Sequence, residues 1–588
     1  MILPRPEHPR PQFRRDKWIN LNGEWTFQFD FCRAGVEKGL PYAVDGFGDS
    51  IIVPFCAESA LSGVGYTDFI PAIWYHRKFE IPGEWNGDRI FLHFGAVDYD
   101  CRVWVNGTAV GRHYGGNSSF SVEITGALRD GENDLVVCAQ DDVRSGLQPA
   151  GKQSEKLHSY GVRYTRTTGI WQTVWLEAVP DTRIESCRIT PDLDGSSFVL
   201  TPVINGCRQG MRLEATLLAD DTEKTRIRVS VSPGVPVTLD VEDPRPWSCS
   251  DPFLYDLRLS LICEDEVVDS VQSYCGLRKF HIEANRFYLN NSPIFLRFVL
   301  DQGFYPDGIW TAPSDSELRA DIERSMSLGF NGARLHQKVF EERFHYWADK
   351  LGYLTWGEFC DWGMDFGLPE AIHNHQREWR EVIIRDANHP SIVAWTPFNE
   401  TYRAARDHFE EHRRALEEIY DLTKALDPAR PVNDASGYCH VKTDIYTVHD
   451  YEQDPAQFRE RFASVSEMNP DEAFVRFPEL SCKYKGQPYV VDEYGGTWWA
   501  DGPLLPEYEQ DADRIRKQDR FPSTKEKVYD AIEKLTAVLT DHPQIAGYTY
   551  TQLTDVEQEV NGLYTYDRKL KFDAERLREA FSAPAAIE

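Results

Sequence analysis

The sequence predicts a chain of three parts: a jelly-roll β-sandwich, an immunoglobulin-like β-sandwich and a (β/α)8 TIM barrel. Three observations carry this. The first third holds short alternating strands and no helical periodicity. A second all-β stretch of about a hundred residues follows. From residue 282 short apolar runs alternate with longer amphipathic ones, as β/α units require.

In the first part, assigned to residues 1–182, Arg89–Phe94 and Cys101–Val105 alternate, and the turn pair Asn106-Gly107 marks a hairpin. Ser119–Ile124 and Asp134–Val137 continue the pattern. The second part, 183–281, contains Ser197–Leu200, Leu213–Leu217 and Tyr255–Leu259. In the third, 282–588, Ile294–Leu300 precedes a helix over Ser316–Leu328. Asn331–Leu335 precedes a helix over Glu341–Leu351, and Tyr353–Trp356 comes next. Ile392–Trp395 is followed by a helix over Asp407–Ala425. Val432–Asp434, Ile445–Val448, Tyr489–Val491 and Ile545–Tyr550 bring the barrel strands to about eight.

Composition narrows the function. The 588 residues carry 64 basic and 94 acidic side chains, a net charge of −30. Such a surface repels nucleic acid and anionic membranes, so neither is expected as a partner. The 12 cysteines show no C-x-x-C pair and several lie in apolar runs, so they read as reduced core residues. The first residues form no signal peptide and no apolar run spans a bilayer. A cytoplasmic enzyme is expected, and a homo-oligomer is compatible with the sequence.

Two carboxylates stand where barrel strands end. Glu400 follows the fourth strand and Glu493 closes the seventh. Strands four and seven face each other across a barrel mouth, where active sites form. Retaining glycoside hydrolysis needs such a pair, one group as acid/base and the other as nucleophile.

Further marks surround this pair: Leu21-Asn22-Gly23-Glu24-Trp25, Trp74–Phe79, Gly169-Ile170-Trp171-Gln172, Gly276–Phe280, Asn399-Glu400 and Glu493-Tyr494-Gly495. In this order the chain resembles glycoside hydrolase family 2, the family of β-galactosidases, β-glucuronidases and β-mannosidases. The resemblance implies that Glu400 is the acid/base, Glu493 the nucleophile and Asn399 the residue that bonds the sugar 2-OH. It implies that Arg334 keeps the nucleophile ionised and that Tyr451 lies beside it.

The sequence departs from the family's best-known members in the sugar-reading shell. Asp301, His336, Gln337, His449 and Gln552 stand where other residues are usual, as either sugar contacts or structural groups. Trp498, next to Trp499, either stacks on a sugar or packs in the core. Thr551 stands in place of a Trp, and Arg163 where an Asp of the first domain would reach the sugar. Glu358 and Asp361 offer a conceivable magnesium site, but the expectation is no metal and no cofactor.

The expected activity is release of a terminal sugar from a small glycoside, β-galactosidase-like on a neutral sugar. β-Glucuronidase, or a furanosidase acting on arabinofuranose or galactofuranose, is the alternative. A non-catalytic carbohydrate-binding protein would have no need of an attacking carboxylate. The neutral-sugar expectation rests on the loop after the eighth strand. Members that cleave glucuronides carry an Asn-x-Lys motif there, whereas this chain has Asn561 and then Leu563, with Glu557 and Glu559 just before. Arg163, or another cation, would reverse it.

Overall fold

The computed structural model describes residues 3–232, 234–465, 470–502, 504, 509–518 and 520–588, with 509 and 510 described by backbone alone. The first domain stacks a six-stranded sheet on a four-stranded one. Side chains from the two sheets, among them Trp25, Ile73, Leu92, Val103, Val137 and Leu176, fill the space between them. The Asn106-Gly107 hairpin forms as expected. Both residues take positive φ, 51° and 77°, as a type I′ turn requires.

The second domain pairs a three-stranded antiparallel sheet, from Arg183–Asp192 to Val237–Asp240, with a four-stranded one, from Arg212–Ala219 to Glu266–Cys275. Leu213, Ala215 and Leu217 point inward at alternate positions, so period-2 patterning is what builds this core.

The third domain is a parallel barrel. Its strands run in the order Ile392–Thr396, Leu354–Glu358, Gly332–Leu335, Leu296–Asp301, Ile545–Thr551, Tyr489–Gly495 and Tyr446–Asp450. The first and eighth strands pair directly, Leu296 opposite Gly547. The fifth position differs from expectation. Segment 432–436 meets the fourth strand only at Trp395–Val432 and Asn399–Ser436. Asp434 is the cause: its carboxylate accepts backbone N–H bonds from Ala435, Val441 and Lys442, which curls the segment into a loop.

The helix expected over 407–425 also differs. It is two helices, Tyr402–Asp407 and Phe409–Leu426, because His408 at φ −138° interrupts the turn. Helix Asp315–Ser327 starts as the sequence suggests, with Ser314 accepting from the N–H of Glu317.

A long segment of the first domain, residues 141–168, lies over the barrel mouth. Ala150 N–H donates to Trp362 O at 2.7 Å, and Gln558 Nε2 to Gly161 O at 2.9 Å. Gly151 makes the approach feasible. Its φ is +59°, and a Cβ there would stand 2.3 Å from Gln337 O.

Candidate active site

Arg334 organises the mouth of the barrel. It ends the second strand, is fully buried and uses three nitrogens. Nε donates to Glu358 Oε2 at 2.5 Å, Nη1 to Glu493 Oε1 at 3.0 Å and to Asp492 O at 2.9 Å, and Nη2 to Asn399 Oδ1 at 2.7 Å. The last bond fixes the Asn399 amide. Its Nδ2 is then a buried donor with no protein partner among the described residues, which suits a substrate hydroxyl.

Glu493 closes the seventh strand. Its Oε2 accepts from Tyr451 OH and lies 3.4 Å from His449 Nδ1. Burial works to raise this carboxyl, yet His449, Arg334, His336 and Lys152 around it hold it well below the usual carboxylate range. Burial keeps the His336 ring neutral, assisted by Lys152 and Arg334, so Arg334 and His449 supply most of the stabilising charge.

Glu400 sits past the fourth strand at φ 53°, a left-handed position costly for a side chain, held by its N–H to Ser436 O at 3.0 Å. His449 Nδ1 approaches Glu400 Oε1 to 2.9 Å. One ligand atom each from Glu400, His449 and Glu493 fall within 4.8 Å of one another. Such a cluster can hold a proton or bind a cation. Two carboxylates brought this near suit a reaction in which one attacks an anomeric carbon while the other protonates the leaving oxygen.

The remaining expected residues divide. His336 donates to or accepts from Glu358 Oε1 at 2.8 Å and reaches to 4.0 Å of Glu493. Gln337, at φ 52°, bonds Asp361 at 2.5 Å, and Asp361 also takes the N–H of Asn399 at 3.0 Å. Gln552 links Gln302 and Asn561, so it shapes the eighth loop. The Asp301 carboxylate accepts from Gly303 N–H and, among the described residues, bonds neither Glu400 nor Glu493, while its backbone oxygen takes the N–H of His336 at 2.8 Å. Trp498 is not brought to the site. It is 1% exposed and packs on Ala512, Ile515 and Val560, an apolar pocket that its large ring fills.

The loop after the eighth strand also departs from expectation. Leu563 is buried in the barrel core. Glu557 accepts from Thr165 N–H at 3.0 Å, and Glu559 takes Tyr164 OH and Asn561 Nδ2. Both glutamates tie the first domain down.

Sequence reasoning missed Lys152. It lies in the first-domain segment over the mouth, 5% exposed, with Nζ 5.4 Å from the Trp362 ring centre and 5.9 Å from that of Tyr164. No hydrogen bond or ion pair engages its ammonium among the described residues. Arg163 lies 4.5 Å from the Trp362 ring centre and donates to Gly151 O. Trp362 itself donates to Asn399 O at 3.1 Å. Both cations come from a segment without periodicity, so no pattern marked Lys152 in advance.

Comparison with known proteins fits this arrangement. The description "Glycosyl hydrolases family 2, TIM barrel domain" matches residues 281–584, more than half of the chain. The chain belongs to glycosyl hydrolase family 2. Its sugar binding domain description matches residues 19–174, and the description of the intervening domain matches 182–278. The chain is therefore a glycoside hydrolase acting on carbohydrate.

Among its family relatives, a β-glucuronidase of Paenibacillus borealis is 24% identical over 608 residues, 95% of this chain and 96% of its own. A putative β-glucuronidase of Formosa agariphila is 28% identical over 70% of this chain, which spans only half the length of that relative. A β-galactosidase of Thermoanaerobacter pseudethanolicus is 25% identical over 74% of this chain and 58% of its own. The Ruminococcus gnavus β-glucuronidase structure superposes with a TM-score of 0.80 at 20% identity, over 98% of this chain and all of that one, which shows the shared fold.

Proposed function

We propose that this hydrolase is a retaining exo-β-glycosidase that removes a terminal uronic acid, with a β-glucuronide as the first candidate. Glu493 attacks the anomeric carbon while Glu400 protonates the departing oxygen. Glu400 then takes a proton from water as the water oxygen bonds to the anomeric carbon and displaces the Glu493 carboxylate. Arg334 and Tyr451 hold the nucleophile ionised and in place. Asn399 Nδ2 donates to the sugar 2-OH, a contact that strengthens as charge develops.

The observation that carries the sugar assignment is Lys152. A buried ammonium without a carboxylate partner is costly unless the substrate supplies one. Lys152 is near enough to His336 and Glu493 to act on both electrostatically, which supports a role beside the terminal sugar. The β-glucuronidases among the relatives support the same reading over the galactosidase-like one. The deciding experiment compares kcat/KM for nitrophenyl β-glucuronide and β-galactoside. The glucuronide should be preferred, and Lys152→Met should cut that preference by about tenfold or more. Preference for the galactoside, or for an arabinofuranoside, in the unmodified enzyme would return the neutral-sugar reading.

A further inference from the structure

One imidazole and two carboxylates converge at the mouth of the barrel. Nδ1 of His449 lies 2.9 Å from Glu400 Oε1 and 3.4 Å from Glu493 Oε2. One ligand atom from each of the three falls within 4.8 Å of the others, and among the described residues no other three His, Cys, Asp or Glu side chains meet this closely.

The spacing suits the shell of a small divalent ion. A tetrahedral ion bound at roughly 2.0–2.2 Å sets its ligand atoms about 3.4 Å apart. The edge from Nδ1 to Glu493 already has that length. The edge from Nδ1 to Glu400 is shorter because a hydrogen bond closes it, and the edge between the two carboxylates is bounded by 4.8 Å. Both adjustments fall to Glu400. Its side chain is 19% exposed, against 6% for Glu493 and 0% for His449, so it has the most room to move.

The inner two residues are held as metal ligands are held. Nε2 of His449 meets Ser436 Oγ at 2.9 Å and Asp492 at 3.4 Å, outer partners of the kind that orient a metal-binding imidazole. Glu493 is fixed by Arg334 Nη1 at 3.0 Å and by Tyr451 OH. The donor set selects the ion. Calcium takes six or more oxygens and magnesium an octahedral oxygen shell, whereas one imidazole nitrogen with two carboxylate oxygens and an open position is a zinc-type arrangement.

We propose that His449, Glu400 and Glu493 form a site for zinc or a cation of its class, and that an ion bound there closes the enzyme to substrate. The proton shared by Nδ1 and Glu400 leaves as the ion binds. The ion is an inhibitor and not a cofactor, because it stands between the acid/base and the nucleophile, where the anomeric carbon must lie. The ligand geometry holds whichever terminal sugar is removed. Only the competition with substrate rests on the roles proposed for Glu400 and Glu493.

The test titrates zinc chloride calorimetrically into EDTA-treated, desalted enzyme. One strong site per chain is expected. It should weaken about a hundredfold or more in His449→Asn and in Glu493→Gln, since loss of even an outer partner typically costs about 10–100-fold in metal affinity. Thiols and surface histidines are the same in all three proteins, so weak binding to them is a common baseline. Cobalt(II) in place of zinc should give the intense visible absorption of a four-coordinate ion, absent from both variants. With a nitrophenyl glycoside, zinc should raise KM and leave kcat unchanged, and magnesium at the same concentration should do neither. Zinc binding undiminished in either variant, or no strong site in the unmodified enzyme, would overturn the inference. A site lost in both variants while zinc leaves KM unchanged would keep the metal site and overturn the roles of Glu400 and Glu493.

Discussion

Nδ1 of His449 stands 2.9 Å from Oε1 of Glu400. The same nitrogen is 3.4 Å from Glu493, while Nε2 meets Ser436 Oγ at 2.9 Å. Ser436 donates its own hydrogen to Asp492 at 2.5 Å, so it must accept from Nε2–H. A second proton is then shared between Nδ1 and Glu400, and the ring carries positive charge when that proton sits on nitrogen. Burial opposes this charge, but Glu493, Asp492 and Glu400 outweigh it and raise His449 above its ordinary 6.5. A histidine raised in the fold contributes stability that is complete below its unfolded pKa and is lost as pH rises through the folded one. The urea midpoint should therefore fall as pH rises above 6.5, and His449→Asn should flatten that slope. An identical slope in the variant would show that His449 carries no such charge. The variant should also lose activity most on substrates with poor leaving groups, because the proton of Glu400 has lost its neighbour.

The proposed roles of the two carboxylates separate by substrate. Glu493→Gln should fold normally and lose on the order of a thousandfold or more in turnover, since no covalent intermediate forms. A fluoroglycoside trap followed by peptide mass should label Glu493 and no other carboxylate. Glu400→Ala should slow poor leaving groups far more than activated aryl glycosides. Added azide should restore it and yield a glycosyl azide of retained configuration; an inverted product would rule out double displacement.

The parts legible in the sequence were those with strong local signals. Strand-end position marked Glu400 and Glu493, and period-2 patterning marked the strands of both sandwiches. Asn106-Gly107 announced its turn through the positive φ that both residues tolerate. The curled fifth position was not legible, because it depends on Asp434 reaching N–H groups up to eight residues away. Lys152 was hidden for a related reason. Its place is set by contacts of Ala150 and Gly151 with a barrel loop some two hundred residues distant, and not by any repeat around it. The bonds of Glu557 and Glu559 to Thr165 and Tyr164 were not legible, because those partners come from another domain.

Metal removal should leave activity unchanged. Glu358 is the carboxylate the sequence offers for a magnesium site, but its oxygens are taken by Arg334 Nε, His336 and the N–H of Gln337. Asp361 is bound by Gln337 and Asn399. A cation of the magnesium type demands free oxygens in near-octahedral array. Activity measured before and after EDTA and desalting checks this. A loss restored by magnesium would mean that these hydrogen bonds rearrange around an ion.

Arg334→Ala should damage stability as well as catalysis, and more at high pH. The guanidinium separates two buried carboxylates, Glu358 at 2.5 Å and Glu493 at 3.0 Å. Removing one partner of a buried ion pair typically costs about 3–5 kcal/mol, because the other charge is left uncompensated. Burial already raises Glu358, with Arg334 opposing it, so loss of the arginine must raise it further. A carboxyl whose folded pKa exceeds its unfolded one is tolerated while protonated and penalises the fold as pH rises past the unfolded value. The variant's deficit in urea midpoint should therefore be larger at about pH 8 than at about pH 5. Arg334→Lys should recover part of the stability and little of the activity, since a single ammonium cannot span Glu358, Glu493 and Asn399 with planar geometry. A deficit independent of pH would mean that Arg334 contributes by packing, and that Glu493 owes its ionisation to His449 instead.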